Sequence, residues 1–323
     1  MKRIAVQQPA VSLEGIAAAV RQYAIVIAFL ALLLTLSLAS SHFLTPVNLL
    51  NTLESGSIYG IVAIALTLLL IVGEFDLCAG ATYVLAGIVA AKLHPWLGTW
   101  PALACGVGAG VGIGLFNGAI VGFFGVNSFV ATLAAGLIVV GIGTNITDGF
   151  QLYIAEPSFG VLGNGMALGV PYFVWIFFGV ALVCGFVLSR TRLGRWLYAT
   201  GGNQEAARLL GIRTRALRIG AFAFSGLAAG VAGVVLVSRT GTAISGDGLA
   251  EVLFPAIAAV VVGGTSIGGG SGAVWRTVLG VYFFEFMRNG FNLIEVNPSY
   301  QDIVQGAIVL LAVAADALSR RTG

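Results

Sequence analysis

GSIYGIVAIALTLLLIVG (residues 56–73) runs for eighteen residues without a charged side chain. A helix crossing the hydrocarbon layer of a bilayer needs about 20 mostly apolar residues, and this stretch meets that demand. The same texture continues on either side. Hydrophobic residues make up 58% of the 323 and charged residues 9%, with a mean hydropathy of +1.00. Soluble domains carry roughly a quarter of their residues as charges, so a water-soluble globule is excluded. A membrane barrel would show alternating segments of about ten residues, and the long unbroken runs argue against it. The fold class is an all-α polytopic membrane protein.

Ten candidate spans follow from the apolar runs: residues 22–40, 56–73, 80–93, 101–121, 128–148, 171–189, 219–238, 252–263, 273–294 and 300–318. The short ones at 80–93 and 252–263 read as tilted or half-helices. Residues 23–39 exceed the usual 7–15 residues of a signal h-region, so the first run is read as a retained helix. An even number of spans with the N-terminus inside gives a cytoplasmic segment 1–21, a single transmembrane domain 22–318 and a cytoplasmic tail 319–323. Residues 149–170 then form an outer loop and residues 190–218 a cytoplasmic one. Lys2, Arg3, Arg21, seven arginines of that loop (Arg190, Arg192, Arg195, Arg208, Arg213, Arg215, Arg218), Arg276, Arg320 and Arg321 fall inside, which is 13 of the 16 Lys and Arg. That asymmetry is what the positive-inside rule expects.

Two patterns speak to packing. Asn117-Gly118 matches Asn289-Gly290 and Val126-Asn127 matches Val296-Asn297, at offsets of 172 and 170. Gly80 with Gly248 and Gly136 with Gly306 extend the match. In the ten-span topology the matched segments run in opposite directions, as in inverted-repeat transporters. Gly106, Gly110, Gly114, Gly118 and Gly122 recur every fourth residue, a smooth stripe that lets two helix backbones approach closely. Cys78, Cys105 and Cys184 lie in or beside apolar runs and read as small core residues.

Enzymatic readings fail. A phosphate loop needs Gly-x-x-x-x-Gly-Lys followed by Ser or Thr, and neither Lys2 nor Lys92 has that context. The run GGTSIGGGSG (263–272) lacks a lysine, and His42 and His94 belong to no triad or metal set. The chain is expected to hold no metal and no cofactor, and any ATP and Mg would sit on another subunit.

The strongest functional signal is GGNQEAARLLGI (201–212), within the arginine-rich break. Asn203 can cap a short helix whose first turn holds Glu205, a favourable place for a carboxylate. Ala206 and Ala207 make one side small, Leu209, Leu210 and Ile212 offer apolar contacts, and Gly211 ends the helix. An ordinary basic loop drawn to anionic lipid is the competing reading of the arginines. The second signal is IVGEFDLCAGATYVLAG (71–87), where Glu74 and Asp76 interrupt apolar segments. A charge at the bilayer centre costs about 2.5–3.5 kcal/mol, so both are expected near a boundary, a cavity or a helix break. Asp76 is read as capping a helix from Leu77. Glu285 and Arg288, three apart on one helix face, are expected to neutralise each other. Asn117, Asn127 and Asn289 either line a path or join helices by hydrogen bonds.

Glu205-Ala206-Ala207 with Gly211 gives E-A-A-x-x-x-G, similar to the docking loop of permease subunits in bacterial ATP-driven importers. With GEFDLCAG, NSFVATLAAG, LGRWLYATGGNQEAARLLGIRTRALRI, IAAVVVGGTSIGGGSG and RNGFNL, residues 45–317 resemble the permeases of ABC importers for monosaccharides, the ribose, xylose and arabinose group. The resemblance implies a type II importer-like fold in the bacterial inner membrane, a homodimer, a cytoplasmic tandem-domain ATPase and an extracytoplasmic sugar-binding protein. It makes residues 203–211 the coupling helix. It implies membrane lipid, and no nucleic acid, as surroundings. Glu74 stands where such permeases commonly have glycine. Permeases for nucleosides or branched-chain amino acids are the nearest alternative, and an ion-coupled secondary transporter a more distant one.

Overall fold

The computed structural model describes residues 13–246 and 248–321, so most of the expected N-terminal segment and the last residues of the tail lie outside the described residues. The first five helices are α1 (Leu13–Ala39), α2 (Pro46–Val72), α3 (Ala79–Leu97), α4 (Thr99–Phe124) and α5 (Ser128–Thr147). The connection that follows carries β1 (Leu152–Tyr153), a 3-10 turn (Pro157–Gly160), α6 (Val161–Asn164) and a hairpin of β2 (Met166–Ala167) with β3 (Val170–Pro171). Next come α7 (Tyr172–Arg190), α8 (Arg192–Gly202), α9 (Gln204–Leu209) and α10 (Thr214–Thr240). Then β4 (Thr242–Ala243) pairs antiparallel with β1. A π-helical turn (Leu249–Leu253), α11 (Phe254–Val262), α12 (Val274–Leu293) and α13 (Pro298–Arg321) complete the chain.

Among the described residues, α2, α4, α5, α7 and α10 are long and apolar enough to cross a membrane. The other expected spans are helical but differ in composition. Lys92, His94 and Pro95 dilute α3, and Arg276, Glu285 and Arg288 interrupt α12. The apolar portions around residues 25–39 and 251–262 are shorter. Five spans are therefore supported by length and composition, against the ten read from the sequence.

Apolar sequence all round a helix implies burial on all sides, and α2 obeys this: Gly56 through Val72 are all buried. α4, α5 and α7 instead present exposed apolar faces, including Leu115, Leu137 and Leu182. α10 packs against α3 and α4, while α2 packs against α11 and α12, and the two lead helices pack on each other. They run antiparallel, because Arg218 near the start of α10 meets Glu74 beyond the end of α2, and Arg239 near its end meets Glu54 near the start of α2. Gly73 and Gly241 both close their helices in the left-handed region, at φ 88° and 66°.

The expected glycine stripe is the seam between α4 and α10. A Cβ on Gly110 would collide with the carbonyl oxygen of Gly226, and one on Gly114 with that of Phe222. Gly118 leaves only 3.0 Å to the Ile219 Cα, whereas Gly108 and Gly112 have nothing within 4 Å. Close packing of this kind replaces the hydrophobic drive that lipid cannot supply. Gly114→Leu should therefore destabilise the fold by about 1–3 kcal/mol, while Gly112→Leu should leave it within about 0.5 kcal/mol. Unfolding in mixed micelles separates the two, and equal behaviour would refute the seam.

Candidate functional site

The arginine-rich break folds as two short helices at one end of the molecule. Thr191 opens α8 by accepting from the Gly194 N–H at 3.2 Å, and Asn203 both closes α8 and opens α9. Its Oδ1 accepts from the Ala206 N–H at 2.9 Å. α9 ends in a Schellman motif: the Gly211 N–H bonds Arg208 O at 2.9 Å and the Ile212 N–H bonds Ala207 O at 3.0 Å, with Gly211 at φ 80°. Only glycine takes that angle without strain. Ala207 packs inward while Glu205 is exposed, and Leu209 and Leu210 are 85% and 80% exposed. Two neighbouring leucines thus stand free on a helix whose both ends are pinned.

This helical pair is tied to the helices behind it by backbone and by charge. Gly201 sits against Ile71, where a Cβ would fall on the carbonyl oxygen. Gly269 leaves 2.7 Å to the Gly201 oxygen and 3.0 Å to the Gly73 Cα, and the Gly270 N–H donates to Ile71 O at 2.9 Å. The glycine run 263–272 is therefore a wedge between α2 and α8. Tyr198 on α8 donates to Gly272 O at 2.8 Å; burial raises its phenol pKa, partly offset by Arg276. On the charged side, Arg208 donates through Nε to Thr214 Oγ1 at 3.0 Å. Arg218 pairs with Glu74, both nearly buried. With its amide oxygen facing the guanidinium groups, Gln204 accepts from Arg218 at 3.2 Å and Arg208 at 2.8 Å.

Glu74 opens the break between α2 and α3, where irregular backbone needs partners. The Phe75 N–H donates to Ser128 Oγ at 3.1 Å and the Leu77 N–H to Thr132 Oγ1 at 2.9 Å. Asp76 is buried; its Oδ1 accepts from the Cys78 N–H at 3.0 Å and its Oδ2 from Ser225 at 2.7 Å. α3 starts at Ala79 rather than Leu77, so Asp76 braces the turn before the helix and fastens it to α10. Asn117 is 1% exposed with neither amide atom hydrogen-bonded, facing Cys78. Asn127 caps α5, accepting from the Val130 N–H at 3.3 Å. Asn289 lies apart from these four, exchanging two hydrogen bonds of 2.9 and 2.7 Å with Asn48.

The structure qualifies one reading and corrects another, that of Cys105 as a core residue. Glu285 is buried and Arg288 exposed; no ion pair within 4.0 Å joins them, but Arg288 still acts on the carboxylate electrostatically, while Tyr59 is the neighbour it bonds. Cys105 is exposed, while Cys78 and Cys184 are buried. Arg218 and Ser225 hold the two carboxylates; the sequence reading counted Arg218 only as a loop arginine and did not single out Ser225. The signal was the lone Glu74 in apolar surroundings, since a buried charge demands a counter-ion.

The pattern of the family described as "Branched-chain amino acid transport system / permease component" matches residues 48–313. The chain is 38% identical over 295 residues to the ribose import permease protein of Escherichia coli K12, covering 90% of this chain and 92% of that one. It is 34% identical over 315 residues to the L-arabinose ABC transporter permease protein of Azospirillum brasilense, covering 97% and 92%. It is also 34% identical to the D-allose transport system permease protein of Escherichia coli K12, covering 87% of each chain. No solved structure matches.

Proposed function

The chain belongs to the permease-component family of these transport systems, and from that premise we propose that it is the membrane subunit of an ATP-driven importer for a monosaccharide. Sugar permeases resemble it along nine-tenths of its length, which favours a sugar over the amino acids of the family's description. Ten helices cross the membrane in two inverted repeats, both termini cytoplasmic. Support for the repeats comes from the reciprocal packing, α2 on α11 and α12 against α10 on α3 and α4.

One observation carries the coupling role. α9 is capped at both ends, exposes Leu209 and Leu210, and follows directly on α8, whose Gly201 is wedged with Gly269 against the end of α2. Exposed apolar anchors on a pinned element are what a soluble partner grips, and the glycine junction passes its movement to the membrane helices. The partners are a second copy of the chain, a cytoplasmic ATPase that binds ATP and Mg, and an extracytoplasmic sugar-binding protein. This chain contributes no ATPase site of its own.

Co-reconstitution with the ATPase and binding protein tests the reading. Proteoliposomes should take up ribose, L-arabinose or D-allose only when ATP is present on the ATPase side. Uptake by the permease alone, driven by a proton or sodium gradient, would overturn it.

A further inference from the structure

Between the end of α10 and the start of α11 the described residues hold only the two-residue β4 and the π-helical turn. Gly241 closes α10 beside β1, where the Ile154 N–H donates to its oxygen at 2.8 Å. By Gly248, at φ 62°, the chain presses on the Gly80 carbonyl in the first turn of α3. Tyr83, one turn further along α3, abuts Gly233, whose missing side chain its carbonyl oxygen replaces. At 1.5 Å per helical residue, Gly248 lies on the order of 15 Å below the end of α10. The chain resumes as a π-helical turn and the short α11. Irregular backbone at membrane depth persists only where protein or a watery cavity covers it, and such broken helices form solute sites in transporters.

A cavity is there. It measures about 480 Å³ and is lined by Tyr83, Thr240, Thr242, Ser245 and Glu251 among apolar and glycine residues. Tyr83 is 2% exposed, yet among the described residues no hydrogen bond reaches its hydroxyl, and none reaches Ser245 or Glu251. Buried tyrosine hydroxyls ordinarily find a partner; that of Tyr83 borders this space without one, with Ser245 half-buried and Glu251 exposed beside it. Cavities of about 300–1,000 Å³ hold small ligands.

We propose that this cavity is a sugar subsite of the translocation path. The Glu251 carboxylate accepts hydrogen bonds from two neighbouring sugar hydroxyls, and Tyr83 and Ser245 complete the ring of partners. Among the described residues the lining contains a carboxylate and no lysine or arginine. That composition suits an uncharged polyol and disfavours a sugar phosphate or an amino acid, whose carboxylate would meet Glu251 without a cation.

The inference rests on the sugar-importer reading, and the test separates them. In the reconstituted complex with ribose, L-arabinose and D-allose as probes, Tyr83→Phe and Glu251→Gln should each lower uptake of the preferred sugar about tenfold, the factor for a lost hydrogen bond from a buried hydroxyl or to a charged group. A wild-type complex that imports none of the three overturns the importer reading and the subsite with it. Wild-type uptake matched by both variants overturns the subsite alone. Independently of folding in those variants, Ser245→Cys in a Cys105→Ala background should react with a membrane-impermeant maleimide from the outer side. The transported sugar should slow that reaction about tenfold; an unchanged rate refutes the assignment.

Discussion

A permease carrying Glu205→Ala with Gly211→Pro should lose ATP-driven sugar uptake by roughly thirtyfold or more, the factor corresponding to about 2 kcal/mol of docking energy. The reason lies in how α9 is held. Proline fixes φ near −65° and carries no N–H, so it cannot occupy the φ of 80° at Gly211, nor make the bond to Arg208 O. The Schellman turn then opens and the leucines just before it, Leu209 and Leu210, lose their fixed placement. Removing Glu205 deletes the carboxylate from the first turn of α9, where it offsets the helix dipole. Because α9 protrudes and only Ala207 is buried, membrane insertion and the α4–α10 seam should survive. The informative measurement is uptake together with ATP hydrolysis in the same vesicles: hydrolysis that no longer responds to sugar and binding protein marks lost coupling. Uptake at the wild-type rate would refute the coupling role of residues 203–211.

How much could be read in advance depended on whether a feature was local. The cap at Asn203 and the turn at Gly211 are set by residues within four positions of each other, and both folded as their sequence dictates. The glycine stripe of α4 was equally legible, since a four-residue period alone defines a helix face. Its partner α10, a hundred residues away, was not. Glu74 announced a need for a counter-ion without naming it; Arg218 is 144 residues distant in sequence. Glu285 was legible in part: Arg288 acts on it electrostatically but makes no direct contact pair. Helical spacing brought Arg288 within reach, but burial turned the carboxylate to the core side and left the arginine outside. The cavity above Gly248 left no local trace, because it exists only where α3, α10 and an irregular segment meet.

The ion pair of Glu74 with Arg218 should be the costliest single contact to break on the arginine-rich face. Both groups are about nine-tenths buried, so deleting one leaves the other charged in a poorly hydrated place, a penalty of about 3–5 kcal/mol. Glu74→Ala and Arg218→Ala should each destabilise the protein by that amount in chemical unfolding from mixed micelles. Replacing both with apolar residues of similar size, Glu74→Leu with Arg218→Met, should return most of the loss, since a matched apolar pair needs no desolvated charge. Function should part company with stability at this point. Arg218 also binds Gln204, which holds Arg208, so the pair is one end of a charged strut from α9 to the turn before α3. The Glu74 end of that strut adjoins Phe75 and Asp76, anchored on Ser128 and Ser225. The doubly apolar variant should therefore fold near wild-type stability yet import sugar several-fold more slowly, because the strut is gone. Two outcomes would count against this account: single variants as stable as the parent, which removes the buried pair from the argument, or a double variant that imports normally, which confines the pair to holding the fold.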